Sequence, residues 1–167
     1  MNESRKQLKA IFKELNKRVA AMNHSRRIEG LLPISKAKVQ LLGQISLLAH
    51  DKVSSILSLA QTGDMDAFLT MDHAVREELK SILKGQGLIY DEDSYLIWIP
   101  PLASFETLFD LEHVLVESID PESALVSKAV KAPDKNKHLI RQAIASGEFL
   151  TLVDRILENG GKLENFT

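Results

Sequence analysis

The first part of the chain carries apolar residues at helical spacing. They fall three or four positions apart, with charged residues between them: Leu8, Ile11, Phe12, Leu15 and Val19. Because this period places the apolar side chains on one side of a helix, it predicts an amphipathic helix from about Ser4 to about Asn23. Gly30 and Pro33 then interrupt the pattern and indicate a connector.

Short apolar runs and a second set of helical patterns follow. Residues 38–42 and 65–69 each predict a strand, and the apolar spacing of residues 45–59 predicts a helix between them. Asp72 is suited to cap a further helix that runs to about Lys84. We expect the two strands to be neighbours in one sheet.

The second half of the chain predicts a hairpin and then helices. Leu88–Tyr90 and Tyr95–Ile99 flank the acidic residues Asp91–Ser94, an arrangement typical of a hairpin, and residues 114–116 predict one more strand. Three helical patterns complete the chain: one that begins at Asp120 and Pro121, and those of residues 134–145 and 147–159. This order predicts an α/β fold, a small mixed β-sheet with packed helices, between an N-terminal amphipathic helix and C-terminal helices.

Length and composition fit one compact unit. The 167 residues are close to the usual size of one domain, and we divide them into an N-terminal helix and connector (1–36) and an α/β domain (37–167). The absence of cysteine excludes disulfides, cysteine-ligated zinc and thiol nucleophiles. No apolar run approaches the ~20 residues that cross a bilayer, and the polar N-terminus is unlike a signal peptide. We therefore expect a cytoplasmic protein.

Positive charge is concentrated at the N-terminal end, although the whole chain has a net charge of −2. The basic residues there are Arg5, Lys6, Lys9, Lys13, Lys17, Arg18, Arg26 and Arg27, followed by Lys36 and Lys38. The simplest interpretation is the solvated face of the predicted helix. The alternative is a surface that binds RNA or an acidic protein partner.

The stretch from Thr62 to Leu69 contains the candidate chemistry. Asp64 and Asp66 are separated by one residue at the start of a predicted strand, so their side chains are expected on the same face. Two such carboxylates suit Mg²⁺, which also bridges to the phosphates of a nucleotide. Upstream, Gly43 ends the first predicted strand, where a residue without a side chain lets backbone amides approach a phosphate. Each feature alone is also typical of an ordinary surface strand or turn.

Together these residues resemble the minimal bacterial nucleotidyltransferases of the DNA polymerase β superfamily, including the antitoxin and abortive-infection types. The likeness covers roughly residues 38–144, and its matching residues are Gly43, Thr62, Asp64, Met65, Asp66, Lys128 and Lys135. The resemblance implies a nucleotidyltransferase-like fold in which Asp64 and Asp66 are catalytic residues that hold Mg²⁺. It also implies a nucleoside triphosphate (NTP) bound by Gly43, Gln44, Thr62 and Lys128.

The chain departs from the family's pattern in three ways. Gln44 stands where a second glycine or serine is usual, and Asn136 stands where an acid usually follows the second lysine. A third metal-binding carboxylate is expected on a later strand, but Tyr95–Ile99 contains none. The candidate substitutes are Glu106, Asp110, Glu112 and Glu117. Because phosphoryl transfer depends on metal ions, we expect weak or lost activity.

Three classes of function remain open from the sequence. The first is a nucleotidyltransferase that uses Mg²⁺ and an NTP. The second is a catalytically inactive binding or regulatory module of the same fold, such as an antitoxin-like partner of another protein. The third is an interaction protein whose acidic pair is incidental. The role of Trp98 is open in the same way, because a tryptophan there suits either the hydrophobic core or a surface on which a base stacks.

Overall fold

A four-stranded mixed sheet lies at the centre of the computed structural model, which describes all 167 residues. Its strands, in spatial order, are β3 (Ala67–Thr70), β1 (Ala37–Leu41), β6 (Val114–Ile119) and β5 (Phe105–Asp110). β1 pairs antiparallel with β3 and parallel with β6, while β5 pairs antiparallel with β6. The α/β fold with a mixed sheet is confirmed, and so is the prediction that the strands at 38–42 and 65–69 are neighbours.

A second, two-stranded sheet pairs β2 (Asp64–Met65) parallel with β4 (Ile89–Tyr90). The α-helices are α1 (Glu3–Ile28), α2 (Gly43–Leu48), α3 (Asp51–Ile56), α4 (His73–Gly85), α5 (Pro121–Lys131), α6 (Lys137–Ser146) and α7 (Leu152–Glu158). Short 3₁₀ helices cover Ser94–Leu96 and Leu163–Phe166. None of these helices has the length and apolar character needed to span a membrane.

The hydrophobic core has two parts. In the first, the apolar face of α1 packs with the sheet, so that Leu15, Val39 and Val116 belong to one buried cluster. In the second, side chains of α2 and α3 such as Leu47 join those of α5 to α7, which include Leu125. The N-terminal helix therefore shares its core with the sheet, because the same apolar positions that predict the helix are those that the sheet covers.

Two predicted helix starts are confirmed by their caps. The Asp72 carboxylate accepts a hydrogen bond from the Ala74 amide at 2.9 Å, and the Asp120 carboxylate accepts one from the Ser123 amide at 3.0 Å. Pro121 occupies the first turn of α5, where its missing N–H leaves no hydrogen bond unmade. Local chemistry alone determines these two boundaries.

The predicted hairpin at 88–99 is wrong. β4 pairs with β2 instead, and the residues after it turn through the 3₁₀ helix at Ser94–Leu96. The antiparallel partner of β6 is β5, a strand that the sequence pattern did not identify. The physical reason lies at Ser94, whose hydroxyl donates to the Asp91 carbonyl at 2.7 Å and accepts from the Ala67 amide at 3.1 Å. These contacts turn the chain before an antiparallel partner for β4 can form.

Other element boundaries differ from the predictions in length. The single helix predicted at 45–59 is two short helices, because His50 ends the first and caps the second by accepting from the Val53 amide at 3.4 Å. α1 continues to Ile28, beyond the predicted end at Asn23. The last two α-helices begin later than predicted, at Lys137 and Leu152.

Candidate functional site

Gly43 and Asp66 meet where β1 ends. The amide of Leu42, the residue before Gly43, donates to the Asp66 carbonyl at 2.8 Å, which continues the pairing of β1 with β3. Gly43 has a φ of +57°, and a Cβ atom there would lie only 2.6 Å from Oδ2 of Asp66. A side chain at position 43 would therefore collide with the carboxylate. The Asp66 carboxylate thus occupies the space beside the backbone of Gly43.

Asp64 and Asp66 lie on the same side of the chain. Met65 and Ala67 are fully buried, whereas Asp66 is half-buried and Asp64 is exposed, as an alternating strand requires. The negative charge of Asp64 contributes to the raised pKa of Asp66, so the two carboxyl groups are close enough to repel one another. Asp66 is the inner acid of the pair and Asp64 the outer one.

Asp91 supplies a third carboxylate that the sequence analysis missed. Its amide donates to the Met65 carbonyl at 3.0 Å, which extends the pairing of β4 with β2, and its carboxyl group is close enough to that of Asp66 to raise the pKa of Asp66. The sequence analysis assigned residues 91–94 to the tip of a hairpin. The signal that could have identified Asp91 is an acid directly after the apolar pair Ile89–Tyr90, since side chains at the end of a strand line the edge of a sheet.

The acids proposed as substitutes lie in other environments. Glu106 and Glu112 are exposed, and Asp110 forms an ion pair with Lys36 at 2.6 Å. Glu117 is half-buried beside Lys38 at 3.4 Å. None of these four acids contributes to the raised pKa of Asp66, whereas Asp91 does.

Burial and neighbouring acids change the charge state of Asp66. They raise its pKa from 3.8 to about 6, with burial as the largest cause, followed by the hydrogen bond to Asp91 and by the negative charges of Asp91 and Asp64. Lys128 opposes this shift, and the pKa of Lys128 is itself lowered by burial and by Lys135. Acids and lysines crowded together in a cleft are a feature of functional sites.

Backbone hydrogen bonds hold the two central acids in place. The Tyr90 hydroxyl donates to the Ala67 carbonyl at 2.9 Å, and Ser94 accepts from the amide of the same residue. The Ser94 hydroxyl also donates to the Asp91 carbonyl. Since Ala67 follows Asp66 directly, both carboxylates are anchored through Tyr90 and Ser94, neither of which touches the cleft.

Replacing Ser94 by alanine is expected to lower the free energy of unfolding by about 1–3 kcal/mol, because it leaves the buried amide of Ala67 without a partner. Urea unfolding of the two proteins measures the difference. The control is Ser55→Ala, which removes an exposed hydroxyl that donates only to the Lys52 carbonyl of its own helix. Equal losses in the two variants would contradict the anchoring role of Ser94.

Asp66 lines a cleft of about 510 Å³, whereas Asp64 and Asp91 lie outside its lining. One end is charged, with Asp66, Lys128 and Lys135, and the other end is apolar, with residues 96–99 and Ile119. Trp98 lines this apolar end and is half-buried, so it is not a residue of the deep core. The cleft is large enough for a small molecule that has an apolar part and an anionic part.

Trp98 is held in position from both sides. The ammonium group of Lys131 lies 5.1 Å from the centre of its ring, and the Ser127 hydroxyl donates to its backbone carbonyl at 2.8 Å. A cation over the ring face is attracted by the π-electrons of the indole. The indole is therefore a fixed aromatic surface at the apolar end of the cleft.

A second cleft of about 360 Å³ adjoins the first, and Lys128, Lys135 and Asn136 line both. Gln44 and Thr62 line only the second. The Gln44 amide donates to the Ala60 carbonyl at 2.8 Å, and the Thr62 hydroxyl accepts from the Asp64 amide at 3.1 Å. Of the residues of the sequence-based site, Gly43 and Asp66 thus line the larger cleft, and Gln44 and Thr62 line the smaller one. Lys128 lines both clefts, and Asp64 lines neither.

The carboxylates of this site meet only part of the ligand requirement of Mg²⁺. The structure contains no group of three acids or histidines close enough together to enclose an ion. Asp66 and Asp91 nevertheless provide hard carboxylate oxygens side by side. Mg²⁺ in nucleotide sites is commonly held by one or two carboxylates together with substrate phosphates and water. These residues therefore suit an ion shared with a phosphate, and they do not suit an ion held by protein alone.

No family model, curated protein or solved structure matches this chain. The functional assignment therefore depends on the residues of the two clefts.

Proposed function

We propose that this protein is a nucleotidyltransferase-like protein that binds an NTP with Mg²⁺ in the larger cleft, with weak nucleotidyl-transfer activity. The observation that carries this proposal is the close approach of Gly43 to Asp66, with Asp91 beside that acid and Lys128 opposite it. Along the chain, a strand that ends in a glycine is followed by a helix and then by a strand with paired acids. This order resembles that of the minimal nucleotidyltransferases.

The roles of the charged residues follow from their positions. Asp66 and Asp91 would hold Mg²⁺, and the exposed Asp64 would add negative charge at the outer side. When bound, Mg²⁺ neutralises charge on the phosphates and so supports phosphoryl transfer. Lys128 and Lys135 lie in the same cleft and offset phosphate charge that the ion leaves exposed.

The apolar end of the cleft suits the nucleoside. Trp98 offers a ring on which a base stacks, and Ile97 and Ile99 line the same cleft. The triphosphate then lies beside Lys128 and Lys135, close to the Asp66 carboxylate, which occupies the space that a side chain at Gly43 would need. Base identity does not enter this proposal, because stacking is available to every base.

The transfer reaction requires little covalent chemistry from the protein. An acceptor nucleophile forms a bond to the α-phosphorus, the bond from that phosphorus to the bridging oxygen breaks, and pyrophosphate leaves with the bonding electron pair. Lysines beside the phosphates stabilise the charge that develops on the leaving group. Because Asp64 stays exposed and no compact three-acid group forms, we expect turnover below about 1 s⁻¹.

Calorimetric titration with ATP and Mg²⁺ tests the proposal. We expect saturable binding that requires Mg²⁺ and that weakens at least tenfold, about 1.4 kcal/mol, in the double variant Asp66→Asn and Asp91→Asn. The amide at position 91 retains the oxygen that accepts from the Asp93 amide, so the local turn is preserved. Asp93→Asn with Asp134→Asn is the matched control, since both acids are exposed and neither contributes to the raised pKa of Asp66. Absent binding, or equal binding by the double variant, would reject the site.

The alternative is a catalytically inactive module of the same fold that regulates a protein partner, as an antitoxin-like protein does. The exposure of Asp64 and the absence of a compact three-acid group favour it. Incubation with NTPs labelled at the α-phosphate, using tRNA and protein acceptors, distinguishes the two. Label incorporation that depends on Asp66 supports the enzyme, whereas nucleotide binding without incorporation supports the module.

A further inference from the structure

The solvent-exposed side of α1 carries a row of residues of which five are lysine or arginine. Counting from Lys6, every third or fourth residue lies on this side, because the spacing follows the helical period. The row consists of Lys6, Lys9, Lys13, Lys17, Ala20, His24 and Arg27, which we name the lysine face. The opposite side of α1 is buried in the core through residues such as Leu8 and Phe12.

The charge of the lysine face is almost unopposed within the protein. Lys6 alone has an acidic partner, the exposed Glu3 at 3.3 Å. The other acid within the helix, Glu14, forms its ion pair with Arg18 on the flank, where Glu78 of α4 also binds that arginine. A chain with a net charge of −2 therefore concentrates positive charge on one side of one helix.

The lysine face is long enough to lie along a nucleic acid duplex. With a rise of 1.5 Å per residue, Lys6 and Arg27 are about 32 Å apart along the helix axis. A face of this length can contact several successive phosphates along a duplex. Ala20 is exposed and has a short side chain, so it does not hold a partner away from the basic residues on either side of it.

The lysine face lacks the features of other anion-binding surfaces. It has no exposed aromatic residue, and single-strand binders use such residues to stack bases. The lysine face has no asparagine or glutamine, the residues that read adenine in the major groove of B-DNA, so it is suited to phosphates and not to base edges. The minor groove of A-form RNA is wide and shallow, and phosphates border it. A helix that lies on the protein surface can follow it.

We propose that the lysine face binds double-stranded RNA through the phosphate backbone, without reading its sequence. This inference goes beyond the nucleotide site and does not depend on it. Phosphate contacts by lysines release counterions from the duplex, so binding depends strongly on salt.

Fluorescence anisotropy with a labelled RNA duplex of arbitrary sequence tests the proposal with the full chain. With about four or five phosphates neutralised, the affinity is expected to fall about 10²-fold between about 50 mM and about 200 mM salt. The triple variant Lys9→Gln, Lys13→Gln and Lys17→Gln is expected to bind at least about tenfold more weakly at low salt, with a smaller salt slope. The matched control replaces three exposed lysines elsewhere, Lys36, Lys52 and Lys162, by glutamine.

Binding that the triple variant loses and the control keeps supports the proposal. Equal loss in both variants, tighter binding of a DNA duplex or single-stranded RNA, or equal binding of polyglutamate would overturn it. Asp66→Asn is expected to bind the RNA duplex as the unchanged protein does. The RNA result and the nucleotide result are therefore separable, and either can fail alone.

Discussion

Replacing Gly43 by alanine is expected to lower the free energy of unfolding by about 2–3 kcal/mol and to weaken Mg²⁺-dependent ATP binding at least about tenfold. Two effects add. A residue with a Cβ atom is strained at a φ of +57°, and that atom would lie 2.6 Å from the Asp66 carboxylate. Asp66 must swing away, which separates it from Asp91. Urea unfolding and calorimetry measure the two consequences.

Gly87 provides the matched control for this substitution. It has a φ of +75°, but a Cβ atom there would meet nothing within 4 Å. Gly87→Ala is expected to cost only the backbone strain, about 1–2 kcal/mol, and to leave ATP binding unchanged. If the two alanine variants lose equal stability and bind ATP equally well, the close approach of Gly43 to Asp66 has no role in the site.

Replacing Asp66 by asparagine is expected to stabilise the protein near pH 7.5, by about 1–2 kcal/mol. The folded-state pKa of Asp66 is about 6, above its ordinary 3.8, so folding favours the protonated form. The contribution of Asp66 to the free energy of unfolding is therefore fully present below about pH 3.8 and is lost as the pH rises through about 6. A rise in pKa from 3.8 to about 6 corresponds to a free energy of about 3 kcal/mol. The expected stabilisation is smaller because Asp66 is partly exposed to solvent.

The measurement is the free energy of unfolding between about pH 4.5 and about pH 7.5. The unchanged protein is expected to lose stability across this interval, while the asparagine variant shows a flatter profile. Asp93→Asn, at an exposed acid of the same turn, is expected to keep the slope of the unchanged protein. A variant at position 66 that keeps that slope would show that Asp66 does not titrate in this interval.

The same protonation predicts how nucleotide binding depends on pH. Metal ions bind deprotonated carboxylates, and a proton on Asp66 competes with Mg²⁺. The Mg²⁺-dependent affinity for ATP is expected to fall as the pH drops below about 6, the pKa of Asp66. Calorimetry at a series of pH values tests this expectation. An affinity that is constant down to about pH 5 would contradict a metal at Asp66.

Much of the fold could be predicted because the signals are local. The helical period of α1 and the capping residues Asp72 and Asp120 each depend on neighbours in sequence. The pairing of β1 with β3 followed from two short apolar runs joined by helical sequence. Asp64 and Asp66 were identifiable because strand alternation determines which side chains share a face.

The third acid could not be predicted because its position depends on distant contacts. Asp91 reaches Asp66 since β4 pairs parallel with β2, a pairing across more than twenty residues that no local pattern records. The turn at Ser94, which excludes the hairpin, depends on the Ala67 amide. Apolar residues at 96–99 read as a strand, yet they line the cleft. The segment that the sequence misassigned is the one that builds the site.

The most direct test of the nucleotide site is to locate a bound metal ion. Crystals grown with Mn²⁺ and an ATP analogue that resists cleavage at the α-phosphate would show the ion by anomalous scattering. We expect Mn²⁺ about 2.1 Å from carboxylate oxygens of Asp66 and Asp91, bridging to the triphosphate beside Gly43 and Lys128, with the base against Trp98. An ion bound away from Asp66, or a nucleotide bound outside this cleft, would contradict the proposed function.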